Sequence, residues 1–355
     1  MKKLFCLLLI VAVASSCKKD APKVANGSQN IVDLNSSLLN FSVNGQLLSS
    51  NIDTVLHTIT VVVPRNADRH QLAANFVLKA AVSAKINNVA VSSGAALDLS
   101  QPTVFTLVAA DQKSTLSFTI DAQTDIQYMG VRGNILASKS LNRSFNYYMD
   151  QWDGSTYQSI NCGPTTTTMA LRWADSTFGG KPVDARNLIT ENGGWWFTGD
   201  AIQYLHLDGV NARIDTLDNV SSVVKSTIDA GNVIILCLDM YYIQPDFLPV
   251  QHVEKFYAAD NLGWGHFILV KGYIQTDANF YLETYDPYSD NATYTTLTPG
   301  QLKGQDRYYI DYDIKLATKN WWPYAILVAP KGKSVLSAHL NINSLHAPVP
   351  PGSGR

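Results

Sequence analysis

The sequence predicts an α+β chain in two successive parts, a small all-β sandwich at 33–124 and a larger mixed unit at 140–332. Three observations lead there. Between 33 and 122 short apolar–polar alternations recur, separated by turn residues, which is the pattern of half-buried strands. Beyond 140, helix-like segments interleave with apolar runs of strand length. All 7 Trp lie beyond residue 150, so the aromatic content belongs to the second part. At 355 residues, 46% hydrophobic and 16% charged, the chain is long enough for two or three cores.

The balance of 27 Lys and Arg against 29 Asp and Glu leaves a net charge of −2, with no basic run or stripe. No nucleic-acid partner is expected, nor a patch that seeks an anionic membrane surface. The low charge and many Thr, Ser, Asn and Tyr fit an exported protein. At the N-terminus, Lys2 and Lys3 precede an apolar run at 4–13, too short to span a bilayer, and then Ala14-Ser15-Ser16-Cys17. This resembles a bacterial lipobox, with Ala14 where Leu is usual. The resemblance implies a signal peptide at 1–17, lipid on Cys17, and an anchor in the outer membrane, facing the periplasm or the cell surface. Lys18-Lys19-Asp20 looks like the start of many lipoproteins of the Bacteroides phylum. The alternative is a plain secretory signal.

Residues 18–32 are polar and read as a tether. Strands are expected at 41–46, which turns at Asn44-Gly45, at 58–64, which Pro64 closes, and at 104–108 and 116–120 around a polar turn. Their order resembles the immunoglobulin-like domains that open many Bacteroides-type surface lipoproteins, implying a spacer or weak adhesion module. His57 and His70 are isolated, as surface residues are. A linker is expected at 125–139. Helices follow at 162–173, 184–189, 198–207 and 220–230, the last stopped by Gly231. The run 232–238 is a buried strand holding Cys237. The stretch 263–274 holds a strand that His266 opens after a Gly-rich approach, 280–288 holds its neighbour, which ends at Asp286-Pro287, 321–330 is a last strand, and 333–355 is a tail.

The chemistry concentrates at Asn161-Cys162-Gly163-Pro164. Pro164 suits a first helical turn, Gly163 permits close approach over the thiol, and the helix macrodipole favours a thiolate at its N-terminus. His266 opens a strand about 100 residues later, and Asp286 ends the neighbouring strand before Pro287. Antiparallel pairing of those strands brings the two together. His266 is then the base for Cys162, and Asp286 orients the imidazole. An oxyanion needs donors: the Cys162 N–H and an upstream amide, Gln151 or Gln158.

At these residues the chain resembles a family. Asp150-Gln151-Trp152-Asp153, Asn161-Cys162-Gly163-Pro164-Thr165-Thr166, Gly265-His266-Phe267 and Tyr285-Asp286-Pro287 together are similar to the papain-like cysteine peptidases of the bacteriocin-processing type. The nearer likeness is to stand-alone relatives (cysteine peptidase family thirty-nine-like), over 140–330. The resemblance implies a papain-like domain, a Cys162–His266–Asp286 triad with Gln151 in the oxyanion hole, and hydrolysis of peptide bonds through an acyl-enzyme. Four threonines after the cysteine motif and an insertion at 239–262 depart from the family. The insertion is either a lid or part of the substrate groove, or a surface excursion with its own small core. Trp195, Trp196 and Trp264 are candidates for the cleft wall.

Other readings stay open: an acyltransferase or amidase at the same site, or an inactive surface module binding peptide or glycan. A Cys162–Cys237 disulfide is the structural alternative for the thiol. His206 and His252 have no zinc-ligand pattern, and Asp150, Asp153 and Asp239 lack calcium-loop spacing, so neither metal nor cofactor is expected. The expected partners are a peptide or protein substrate and, through the lipid, a membrane. The sequence does not fix the oligomeric state.

Overall fold

The structure is a computed structural model that describes residues 33–190 and 194–335. The leader, Cys17 and the tether at 18–32 lie outside the described residues, as does the tail from 336. Among the described residues there are three sheets, and the fold is mixed α+β with sheets dominating. No helix is long and apolar enough to cross a membrane.

The first part holds nine strands: β1 (Leu38–Val43), β2 (Asn51–Asp53), β3 (Thr58–Val63), β4 (Leu72–Leu78), β5 (Ser83–Ile86), β6 (Val89–Val91), β7 (Ala95–Leu97), β8 (Thr103–Val108) and β9 (Thr115–Thr124). They form a sheet of order β1-β4-β7 and another of order β2-β3-β9-β8-β5-β6, in which β3 and β9 run parallel. Alternate residues face one core. Phe41, Phe76 and Phe105 meet there within 6.5 Å of one another, centroid to centroid.

The segment 125–139 is not a linker. Helix α1 (Asp125–Tyr128) opens with a capping box between Thr124 and Gln127. Ile126, Met129 and Val131 bury against Val253, Ile274, Tyr281 and Tyr308 of the second part. Strand β10 (Ile135–Ser140) then joins the second part's sheet. A helix of one turn shows no periodicity, and β10 is an exposed edge, so the sequence alone does not reveal either.

The second part continues with α2 (Cys162–Ala174), α3 (Pro182–Ile189), α4 (Thr198–Leu207), β11 (Ala212–Thr216), α5 (Val220–Asp229), β12 (Val233–Asp239), β13 (Gly265–Thr276), β14 (Phe280–Tyr285), β15 (Arg307–Ile310), α6 (Asp311–Lys319) and β16 (Tyr324–Val328). The sheet order is β11-β16-β12-β13-β14-β15, and β10 extends the β12 side of β13. The period of two explains why β12 and β13 read as continuous apolar runs. Val233, Ile235, Cys237, Phe267 and Leu269 face the core under α2 and α4. Ile234, Leu236, Leu238, Ile268 and Val270 face α5 and α6. Covered on both faces, these strands have no polar side.

Boundaries move slightly from the sequence reading. Helix α3 starts at Pro182, which takes the first helical position where its missing N–H is harmless. The last strand is shorter than 321–330, because Trp321 and Trp322 precede it and turn to the cleft. The tail begins later than 333: the Lys333 carbonyl accepts from Asn211 Nδ2 at 2.7 Å, and Val335 packs on the second core.

Candidate active site

Helix α2 begins at Cys162 itself. Its buried side, including Met169, Leu171 and Trp173, packs on the sheet. The four threonines Thr165, Thr166, Thr167 and Thr168 are all buried. Thr166 Oγ1 donates to the Phe267 carbonyl at 3.1 Å, which ties the helix to the strand that carries His266. The thiol sits at the helix mouth, half-buried and free.

His266 opens β13, and Asp286 follows β14 directly. His266 Nε2 lies 2.7 Å from Asp286 Oδ1, with both side chains buried. That bond leaves the other ring nitrogen for the Cys162 thiol, and thiol and imidazole each shift the other's ionisation. Asp286 is held by three further donors. Tyr309 Oη and Tyr257 Oη donate to Oδ2 at 2.5 and 3.0 Å, and the Tyr288 N–H donates to Oδ1 at 2.8 Å. The carboxylate is therefore fixed in orientation and saturated on its far oxygen.

The electrostatics follow from this arrangement. Burial pushes the Cys162 thiol up, but the hydrogen bond and charge of His266, with the N–H groups of Phe267 and Gly163, bring it below the ordinary thiol value. Burial would lower His266; the Asp286 carboxylate and the Cys162 sulfur raise it to about 10. Burial opposes ionisation of Asp286 too, and His266, Tyr309 and Tyr288 outweigh it, so its value falls below the usual carboxylate range. Thiolate, imidazolium and carboxylate thus stabilise one another.

Gln151 is buried and its backbone N–H donates to the Pro287 carbonyl at 2.7 Å, beside Asp286. One amide hydrogen goes from Nε2 to the Gln158 carbonyl at 3.0 Å, and the second remains. Gln151 lines the cleft. Gln158 is turned the other way, its side chain taking the Gly154 N–H at 3.0 Å.

The cleft has a volume of about 300 Å³. Cys162, His266 and Gln151 line it, together with Trp195, Trp196 and Trp264. Two glycines make room for two indoles. A Cβ on Gly163 would stand 2.3 Å from Trp196, and one on Gly265 would stand 2.5 Å from Trp321. Each glycine adjoins a reactive residue, so the indoles close on the backbone beside the thiol and the imidazole. Trp195 is 57% exposed, Trp264 half-buried and Trp196 buried, so the candidate wall runs from rim to floor.

Cys237 also lines the cleft. It is free, which removes the disulfide reading, and burial pushes its thiol well above the ordinary value. Among the described residues no group of three or more His, Cys, Asp or Glu gathers as a metal site would.

The insertion at 239–262 is fastened to the body of the protein. Arg307 Nε and Nη2 donate to the Glu254 and Val253 carbonyls at 2.6 and 3.1 Å, and His252 stacks on Tyr294 with centroids 3.7 Å apart. It contributes Tyr257 to Asp286 and Leu262 to the cleft wall. Tyr257, Tyr309 and Trp322 are site residues that the sequence reading missed. No spacing marks them, because they arrive from the insertion, from β15 and from the approach to β16.

Residues 38–121 match a family model described as "SGBP, N-terminal". No curated protein matches the chain. Among solved structures, a protein of Bacillus anthracis described as a C39-like peptidase matches at 16% identity and a TM-score of 0.29, covering 57% of this chain and all of that one. A Bacteroides thetaiotaomicron protein described as a glycoside hydrolase matches at 11% identity and a TM-score of 0.23, covering 82% and 94%. A secreted protein of Bacteroides fragilis matches at 15% identity and a TM-score of 0.18, covering 21% and 69%. At such TM-scores none of these likenesses fixes the fold or the activity.

Proposed function

We propose that the chain is a cysteine hydrolase of the cell envelope that cleaves peptide bonds. The observation that carries the reading is the buried His266–Asp286 pair beside the half-buried Cys162 thiol, which sits at a helix mouth and opens on a cleft. In the proposed reaction the Cys162 thiolate attacks the scissile carbonyl. The Cys162 N–H and the spare Gln151 amide hydrogen receive the oxyanion. The His266 imidazolium gives its proton to the leaving amine, and water, deprotonated by the same ring, releases the acyl group. Asp286 holds the ring in place and stays ionised throughout.

The cleft bears on the substrate. Among the described residues no Asp, Glu, Lys or Arg lines it, and the walls are mainly aromatic. An uncharged segment enters at low desolvation cost, whereas a charged one finds no Asp, Glu, Lys or Arg counter-ion among the described lining residues. The envelope location, the 1–17 leader and lipid on Cys17 are part of the proposal; the match of residues 38–121 supports the location, and the leader and the lipid rest on the leader motif alone. That match also favours a second reading, in which the first part carries a binding role and presents the second part to its target.

The test is a peptide library incubated with the full chain and with Cys162→Ala, products read by mass spectrometry. Cleavage by the former alone supports the reading. Transfer to an added amine in place of water redirects it to an acyltransferase. No product from either, with peptide retained by both, contradicts hydrolysis and leaves the binding role.

A further inference from the structure

We propose that Arg186 is a positioning residue of this site: its buried guanidinium ties the segment that leads into Cys162 to the one that leads into the cleft wall, and sets a fixed positive charge near the thiolate. The proposal rests on the reading of Cys162 as a nucleophile.

Arg186 lies on α3 and is 1% exposed. Its Nε donates to Asn161 Oδ1 at 2.9 Å and its Nη2 to the Ile160 carbonyl at 3.0 Å. Its Nη1 donates to the Gly194 carbonyl at 2.7 Å. Ile160 and Asn161 lead directly into Cys162. Gly194 leads directly into Trp195 and Trp196, which wall the cleft. One planar fork therefore fixes the nucleophile's approach against the cleft wall, at angles that a flexible ammonium cannot hold.

All three acceptors are neutral. Among the described residues no carboxylate lies within ion-pair distance of Arg186. The guanidinium carbon lies over the Tyr157 ring, 5.0 Å from its centre. Asp153 reaches Asn161 Nδ2 at 3.5 Å, not the guanidinium. A buried cation without a counter-ion is costly. Among the described residues, a thiolate at Cys162, the residue that follows the Arg186-bound Ile160 and Asn161, is the negative charge that favours the guanidinium most.

The bond to Asn161 has a second consequence. Asparagine before a helix ordinarily caps the first-turn N–H groups. Asn161 makes no such bond, because its Oδ1 is taken by Arg186. The donors at the mouth of α2 stay open, and the Gly163 N–H is directed at the sulfur.

The titratable and charged groups that act on Cys162 or Arg186 are His266 from β13, Cys237 from β12, and Tyr157 and Asp153 from the segment before Cys162; Arg186 itself reaches the two residues that precede Cys162. A fixed positive charge favours the thiolate, so its removal raises the pH at which the thiol ionises.

The experiment measures iodoacetamide alkylation of Cys162 in the full chain against pH, read on the Cys162 peptide by mass. Arg186→Met is expected to raise the midpoint by about one unit, roughly tenfold slower alkylation below both midpoints, with the high-pH plateau retained. Arg186→Lys keeps the charge and is expected to hold the midpoint near wild type. An unmoved midpoint in folded Arg186→Met, or the same rise in Arg186→Lys, overturns the proposal. If Arg186→Met does not fold, Arg186→Gln keeps two donors without charge and is read the same way. A wild-type midpoint at the ordinary thiol value of about 8.5 overturns the nucleophile reading itself. A low wild-type midpoint with no response to Arg186 overturns this inference alone.

Discussion

Two buried charged pairs join β13 to the chain of β14, and they are built differently. At one end Lys271 Nζ lies 2.5 Å from Glu283, 2.7 Å from Asp306 and 2.7 Å from Asn142. Its side chain is fully enclosed, and its carboxylate partners hold it charged despite burial. At the other end His266 and Asp286 are equally buried, but the free ring nitrogen meets a titrating thiol and a cleft. Lys271 and His266 are both held above their ordinary values by a carboxylate, against burial. The lesson is that burial of a charge marks no site by itself. A site needs a partner that can exchange a proton, and a path to it.

The comparison is broken most strongly at the Lys271 end. Lys271→Met leaves Glu283 buried without its cation, beside a half-buried Asp306, and should cost about 3–5 kcal/mol in a urea melt. The pH profile of Cys162 alkylation should stay where it is; a moved profile would mean the two ends are one network. At the reactive end, Tyr309→Phe removes a 2.5 Å bond to Asp286. A hydrogen bond to a charged group is worth about 1.5–3 kcal/mol, which thermal unfolding should register. Tyr257→Phe, at 3.0 Å, should cost less.

The pairs should also separate by pH. His266 is raised to about 10 in the fold, against an unfolded value of about 6.5. Its contribution is fully present below the unfolded value and is lost as pH rises through the folded one. Stability should therefore decline from about pH 6.5 toward pH 10, and His266→Gln should flatten that slope. A slope unchanged in His266→Gln would assign it elsewhere. The smallest effect is expected for Cys237→Ala, about 1 kcal/mol or less, with Cys162 reactivity unchanged. A loss of that reactivity would make Cys237 part of the site.

What the sequence discloses follows from locality. The mouth of α2 is legible because Cys162, Gly163 and Pro164 are consecutive and each has a local meaning. The pairing of His266 with Asp286 is legible because both stand at the ends of adjacent apolar strands. Helix α4 is legible to its ends, since its apolar face and its flanks agree. The paired strand at Ile135–Ser140 is hidden, because an exposed edge strand of Ser, Lys and Ala carries little pattern. Tyr257, Tyr309 and Arg186 are hidden for a different reason. Each acts by hydrogen bonds across the fold, and nothing in a one-dimensional spacing marks such a donor.

The most direct measurement is iodoacetamide alkylation of Cys162 at pH 6 in the full chain, wild type against His266→Ala. A thiolate held by His266 predicts rapid modification of the wild type, with Cys237 untouched, and alkylation slower by roughly a hundredfold in the variant, as expected for an ordinary thiol. Equal rates in the two proteins, or equal modification of Cys162 and Cys237, would contradict the thiolate–imidazolium pair and with it the proposed hydrolysis.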